Sequence, residues 1–102
     1  MTKAQNPKQY ALEDRTLAFA RAVREFVKSL KPTTANIEDG KQLVRASGSV
    51  GANYIEANEA LGKKDFLMRI RICKKESKES RYWLQLVDAC GEQRLEIRRQ
   101  EL

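Results

Sequence analysis

Apolar residues recur at steps of four and three through three long segments of this chain, which is the spacing of amphipathic helices. The pattern predicts three helices and a short fourth one, over residues 13–30, 36–61, 63–90 and 93–102. Pro32 ends the first helix because the residue before a proline is pushed out of the helical region. Gly62 separates the second helix from the third, and Gly91 is the expected cap of the third. Residues 1–11 are polar and are expected to form a flexible N-terminal arm.

Two glycines, Gly48 and Gly51, lie inside the second predicted helix. Each costs roughly 1 kcal/mol relative to alanine in a helix interior, so a loop is the alternative interpretation. The apolar spacing continues through both glycines, which favours an unbroken helix. We therefore predict that the small side chains from Ser47 to Ala52 let a neighbouring helix approach closely.

A short turn at Gly62 makes the second and third helices antiparallel neighbours. Arg45 and Glu79 are each seventeen residues from Gly62, so we expect them to pair across the two helices. Such a half-buried pair more often fixes alignment than adds stability. Asn53 interrupts the apolar stripe of the second helix. A ligand contact is possible there, but a buried amide bonded to backbone or to a neighbouring helix is favoured, since buried polar groups need partners.

The chain has 102 residues, which is enough for one domain, predicted over residues 12–102. The charged fraction of 33% and the apolar fraction of 41% are typical of a folded, highly charged protein. Cys73 and Cys90 fall on the same predicted helix, about 25 Å apart, so they cannot form a disulfide within the chain. With no secretion signal and no apolar run of ~20 residues, we expect a cytoplasmic protein that does not enter a membrane.

The sequence offers little catalytic chemistry, since it contains no histidine, the commonest general base and metal ligand. Carboxylates occur at helical spacing in two pairs, Glu56 with Glu59 and Glu76 with Glu79. Di-iron bundles use a Glu-x-x-His pattern that is absent here, so ion pairs with Arg45, Lys75 and their neighbours are the favoured interpretation. We therefore predict a non-enzymatic protein with no catalytic residue, no metal ligand and no cofactor.

The net charge of the chain is +6, and its distribution is uneven. Residues 63–91 hold eight Lys or Arg and four Asp or Glu, a net charge of +4. Five of these cations recur along one side of the third helix: Arg71, Lys74, Lys75, Lys78 and Arg81. Such a row would track a phosphate backbone with little sequence specificity, which makes it the candidate nucleic-acid-binding surface. An acidic protein partner and a merely solvated helix face are the alternatives.

Several segments in one register carry a family resemblance. The stretch QLVRASGSVGANYIEANEA, followed by KKDF and KKESKESRYWLQLV, resembles the bacterial four-helix-bundle family associated with 23S rRNA intervening sequences. The family pattern falls here at Gln42, Leu43, Arg45, Ser49 to Asn53, Glu56, Ala57, Asp65, Phe66, Glu76, Glu79, Tyr82, Trp83 and Leu84. The first helix fits as well, at Leu12, Arg15, Thr16 and Phe19. Trp83 and Tyr82 are expected to be core or subunit-interface anchors.

The resemblance implies an all-α, antiparallel up-and-down four-helix bundle that assembles as a homopentamer and carries no catalytic residues. The family's fourth helix is usually long, so the ten or so residues found here imply a short or truncated one. The chain is also similar to the accessory protein of diversity-generating retroelements, a pentameric barrel that binds nucleic acid and a reverse transcriptase. Our leading hypothesis is thus a homo-oligomeric bundle that binds RNA or DNA. The alternative is a scaffold that docks an acidic protein.

Overall fold

The computed structural model describes the backbone of residues 7–102 and the side chains of residues 11–102. These residues form four α-helices: α1 (Pro7–Ser29), α2 (Thr34–Asn58), α3 (Lys63–Leu86) and α4 (Gln93–Glu101). No strand occurs within residues 7–102. The helices form an antiparallel up-and-down bundle about 47 Å long, and the fourth helix has only nine residues. The predicted fold class is confirmed.

Helix α1 begins earlier than the apolar pattern predicts. Residues 7–11, which were expected to belong to a loose arm, are helical, and the helix starts at Pro7. A proline fits the first turn of a helix because its missing N–H has no intrahelical partner there. Residues 1–6 of the expected arm lie outside the described residues.

Helix α2 begins and ends more sharply than the pattern predicts. The hydroxyl of Thr33 accepts a hydrogen bond from the Asn36 amide at 3.1 Å, which is a side-chain N-cap. At the other end the helix stops at Asn58 rather than at residue 61. The Glu59 amide is shared between the carbonyl oxygens of Ile55 and Glu56, both at 3.2 Å, as is common in a terminal turn.

Helix α3 ends at Leu86 rather than at residue 90, so this predicted boundary is wrong. Val87 has an extended backbone, with φ −59° and ψ 148°. The backbone groups of Asp88 then bond to the side chain of Asn36 instead of continuing the helix. Gly91, with φ 79°, lies in the turn before α4 and does not cap α3.

Helix α2 packs against both α1 and α3, and α4 packs against α1. The small residues of α2 allow this arrangement. A Cβ built on Gly51 would lie 2.9 Å from Thr16 Oγ1 and 3.2 Å from Thr16 Cβ, so α1 approaches α2 as closely as a glycine permits. The segment from Ser47 to Ala52 is helical, as predicted.

The hydrophobic core lies at one end of the bundle, where α4 covers it. Its buried members come from the first three helices and the residues that follow them: Val23, Phe26, Leu30, Leu43, Leu84 and Val87. Leu95 and Leu102 of the α4 region pack against this cluster. Toward the other end the same helix faces become exposed, as at Leu12 and Phe66. The short fourth helix therefore covers only this end of the core.

Candidate nucleic-acid interface

The outer face of α3 carries the basic row that the sequence predicted. At 100° per residue, positions 71 to 81 of the row fall within about 120° of the helix circumference. All five members are exposed: Arg71, Lys74, Lys75, Lys78 and Arg81. Four of them line one shallow surface groove together with Glu79. The structure thus brings the candidate residues together on one accessible face, which we call the basic row.

The basic row is not neutralised by carboxylates. None of its five cations forms an ion pair with a described side chain, residues 11–102. Exposed lysines elsewhere do have such partners, since Lys28 pairs with Glu25 at 3.3 Å and Lys41 with Glu38 at 3.4 Å. A helix with mixed charges commonly forms such pairs three or four residues apart. The positive charge of the basic row is therefore available to another molecule.

A three-residue ionic cluster contains both glutamates of α3. Arg45 Nη2 donates to Glu79 Oε1 at 2.7 Å, and Arg45 Nη1 donates to Glu76 Oε1 at 3.3 Å. The predicted Arg45–Glu79 pair is confirmed, and Glu76 joins it. The pKa of Arg45 is raised, chiefly by the hydrogen bond to Glu79. Burial acts in the opposite direction but is outweighed.

The position of Glu79 matters for the basic row. Glu79 follows Lys75 by four residues, a spacing at which the two side chains could pair along α3. Glu79 is instead hydrogen-bonded to Arg45 on the neighbouring helix. Arg45 thus occupies two carboxylates that would otherwise lower the positive potential of α3.

Asn53 is half-buried rather than buried, and it makes the backbone and inter-helix bonds that the sequence favoured. Its Nδ2 donates to the Ser49 carbonyl oxygen at 2.9 Å, and its Oδ1 accepts from Arg69 Nη1 at 3.1 Å. One turn away, the Cys73 thiol donates to the Val50 carbonyl oxygen at 3.4 Å. These bonds satisfy polar groups along the contact between α2 and α3.

The aromatic pair of α3 divides between the core and the surface. Trp83 is half-buried and packs against the hydrophobic core cluster. Tyr82 is exposed, and its ring meets that of Trp83 edge to face, with centroids 5.1 Å apart. Glu56, the remaining residue of the expected structural motif, is exposed and forms no ion pair with the described side chains.

Asn36 has a structural role that the sequence did not predict. Its buried side chain donates to the carbonyl oxygens of Lys31, at 3.0 Å, and Asp88, at 2.8 Å. It also accepts from the Asp88 amide at 2.9 Å. Asn36 therefore joins the α1–α2 connection to the α3–α4 connection. Nothing local in the sequence reveals this role, because the partner lies 52 residues away.

The two cysteines lie in different surroundings. Cys73 is half-buried on α3, and burial raises the pKa of its thiol. The sequence placed Cys90 on α3, but Cys90 is exposed in the α3–α4 turn.

Among the side chains of residues 11–102, no three potential ligands cluster where they could hold a metal ion. Within the described part of the chain, no helix has the length and apolar character needed to cross a membrane.

These features define a small all-α bundle protein with an exposed basic helix face. The 23S rRNA-intervening sequence protein family matches residues 8–96, and the chain belongs to this family. The structure is similar to a crystal structure from Bacteroides thetaiotaomicron, a protein of unknown function from the S23 ribosomal protein family. That similarity has a TM-score of 0.76 and 29% identity, over 92% of this chain and 87% of the other. A search of curated proteins finds no match. The family resemblance inferred from the sequence is confirmed.

Proposed function

We propose that this protein is a non-enzymatic, homo-oligomeric accessory protein that binds RNA or DNA through the basic row of α3. The observation that carries this proposal is the set of five exposed cations without a carboxylate partner among the described residues. The family's description refers to 23S rRNA, and neither it nor that of the similar structure refers to an enzyme.

The physical basis of binding is the release of counterions from the phosphate backbone. Each phosphate that a cation neutralises contributes about −0.7 to the slope of log K against log salt for single strands, and about −0.9 for duplex DNA. The five cations of the basic row lie on one rigid helix, so several can contact successive phosphates. Contacts to phosphates position a protein but carry no sequence information. We therefore expect salt-dependent binding with little sequence preference.

Charge reversal with a matched control tests the proposal. The double variant Lys75→Glu/Lys78→Glu removes the centre of the basic row. The control Lys28→Glu/Lys41→Glu makes the same change in net charge at exposed lysines of α1 and α2 that already have carboxylate neighbours. Fluorescence anisotropy with labelled RNA and DNA, over a range of salt concentrations, gives the affinity and the salt slope of each protein.

The two double variants should differ. We expect the variant in the basic row to lose at least tenfold in affinity and to show a salt slope shallower by about 1.4, for two lost phosphate contacts. The control should lose much less, since only its long-range charge has changed. No binding of the unaltered protein at low salt would reject the proposal. Equal losses in both variants would show that net charge, rather than this surface, drives association.

The oligomer is proposed on a separate observation. Large apolar side chains are exposed toward the end of the bundle that α4 does not cover: Leu12, Leu17, Ile55, Leu61 and Phe66. Contacts between copies would bury such side chains, as patches of this kind commonly mark association surfaces. Light scattering should give about five times the chain mass of 11.7 kDa if the homopentamer implied by the family resemblance forms. A mass of one chain would reject self-association.

A further inference from the structure

A tyrosine extends the basic row of α3. Steps of four, three and four residues place these side chains in one line along the outer face: Arg71, Lys75, Lys78 and Tyr82. The line is about 16 Å long at 1.5 Å per residue. Tyr82 is 58% exposed, which is high for a residue type that is on average intermediate between buried and exposed. An open aromatic ring thus lies one helical turn from an unpaired lysine.

The orientation of this tyrosine is supported from below. Its ring meets the Trp83 ring edge to face, at an interplanar angle of 79°. Trp83 in turn packs against the hydrophobic core cluster. Tyr82 is therefore backed by an anchored neighbour, while more than half of its surface faces solvent. A pre-positioned ring loses little conformational freedom when another flat group stacks on it.

Apolar side chains flank the cations at both ends of the basic row. Leu86 follows Tyr82 by one turn and is 48% exposed. At the other end, Leu67 and Met68 precede Arg71 and are 42% and 44% exposed. Hydrated phosphates gain nothing from such neighbours, whereas the faces of unpaired bases do. The surface therefore has cations that suit phosphates in its middle and apolar groups that suit bases at its ends.

We propose that the basic row binds single-stranded nucleic acid, with phosphates along Arg71, Lys75 and Lys78 and a base stacked on Tyr82. This inference rests on the proposed function and specifies its ligand. A duplex presents phosphates to the row but keeps its base faces stacked inside the helix. A single strand can offer both groups at once, and combined cationic and aromatic surfaces are typical of proteins that bind single strands.

The experiment compares Tyr82→Ala and Tyr82→Phe with the unaltered protein. The probes are a fluorescein-labelled single-stranded RNA of about 12 nucleotides and the duplex of the same strand, within the usual range of site sizes. Tyr82→Ala should weaken single-strand binding by about fivefold to a hundredfold, the equivalent of roughly 1–3 kcal/mol per stacked base. Duplex binding should change by less than about twofold, because phosphate contacts remain. Tyr82→Phe keeps the ring and should bind both probes normally.

Trp83 offers an independent readout, since it is the only tryptophan of the chain. Stacking on the adjacent ring should change its fluorescence with the single strand and not with the duplex. Circular dichroism should show equal helix content in all variants. If Tyr82→Ala leaves single-strand affinity unchanged, or weakens both probes equally, the stacking inference is overturned while the proposed function stands. If no probe binds even at low salt, both are rejected.

Discussion

Arg45 on α2 and Glu79 on α3 are joined by a hydrogen bond of 2.7 Å, and each lies seventeen residues from Gly62. This symmetry follows from two straight antiparallel helices connected by a short turn. The pair fixes the register of α2 against α3. It also draws Glu79 away from Lys75, so one arginine links the alignment of the bundle to the charge of its outer face.

Arg45→Ala should destabilise the protein by about 1–3 kcal/mol. Glu76 is only 8% exposed, so the substitution would leave a buried carboxylate without its ion-pair partner. The side chain of Arg45 is about half exposed, so loss of its own packing should cost only a moderate amount of stability. Urea denaturation monitored by circular dichroism measures the free energy of unfolding. Lys41→Ala breaks an exposed pair and should cost no more than about 0.5 kcal/mol. Equal effects of the two substitutions would show that the Arg45 cluster has no special role.

The same substitution should also weaken RNA binding several-fold. Without Arg45, Glu79 is free to pair with Lys75 along α3, which lowers the positive charge of the basic row. Adding Glu79→Gln to Arg45→Ala removes the competing carboxylate and should restore affinity. Anisotropy titrations of the single and double variants, at a temperature where both are folded, check this. A double variant that binds RNA as weakly as Arg45→Ala would show that Glu79 does not weaken binding by pairing with Lys75.

Gly51→Ala should destabilise the bundle by about 1–2 kcal/mol, although alanine is the better helix former by ~1 kcal/mol. The new methyl would lie 2.9 Å from Thr16 Oγ1. Thr16 is β-branched, and its hydroxyl already donates a hydrogen bond to the Glu13 carbonyl oxygen at 3.0 Å. Neither group can move easily, so the helices must shift apart. Thermal and urea unfolding measure the loss.

Gly48→Ala is the matched control for this close approach. Its methyl would lie 3.2 Å from Arg24 Nη2, the far end of a flexible side chain. The arginine can turn aside, so the gain in helix propensity should dominate, and stability should be unchanged or higher by up to ~1 kcal/mol. If both alanine variants are stabilised, the contact of α1 with α2 is not limited by Gly51.

The sequence predicts the features of this fold that depend on periodicity. The four-and-three spacing locates the three long helices, and equal distances from Gly62 are enough to pair Arg45 with Glu79. The basic row is found in the same way, because exposure follows from helical position. What could not be predicted is that Arg45 also reaches Glu76, so that one arginine of another helix pairs with both glutamates of α3.

The features that the sequence did not reveal depend on contacts distant in the chain. Apolar residues continue past Leu86, so the pattern favours a longer α3. The helix ends because Asn36, 52 residues earlier, supplies partners for the backbone of Asp88. Tyr82 and Trp83 are adjacent aromatic residues, and only the packing of α3 decides which of them contacts the core. Periodicity gives the faces of a helix but not the partner of each face.

Asn36→Ala should destabilise the protein by about 2–3 kcal/mol. It removes three hydrogen bonds and leaves the backbone groups of Lys31 and Asp88 without these partners. Thr33→Ala alters the same connection but removes a single capping bond, so it should cost about 1 kcal/mol. Urea denaturation compares the two, and amide exchange at Asp88 should accelerate only in Asn36→Ala. Similar losses in both variants would mean that the long-range bonds add little.

The two thiols should differ in their reactivity at neutral pH. A raised pKa means that the neutral form of Cys73 persists to higher pH, so its nucleophilic thiolate remains scarce where an ordinary thiol would already ionise. Cys73 is also half-buried and bonded to the Val50 carbonyl oxygen, whereas Cys90 is exposed.

In Cys90→Ser, labelling of the remaining Cys73 by iodoacetamide should be slow at neutral pH and should rise on the alkaline side of the usual thiol range. Cys73→Ser isolates Cys90, which should react faster at neutral pH, and addition of urea should remove the difference between the two variants. Equal rates in the folded proteins at neutral pH would contradict this prediction.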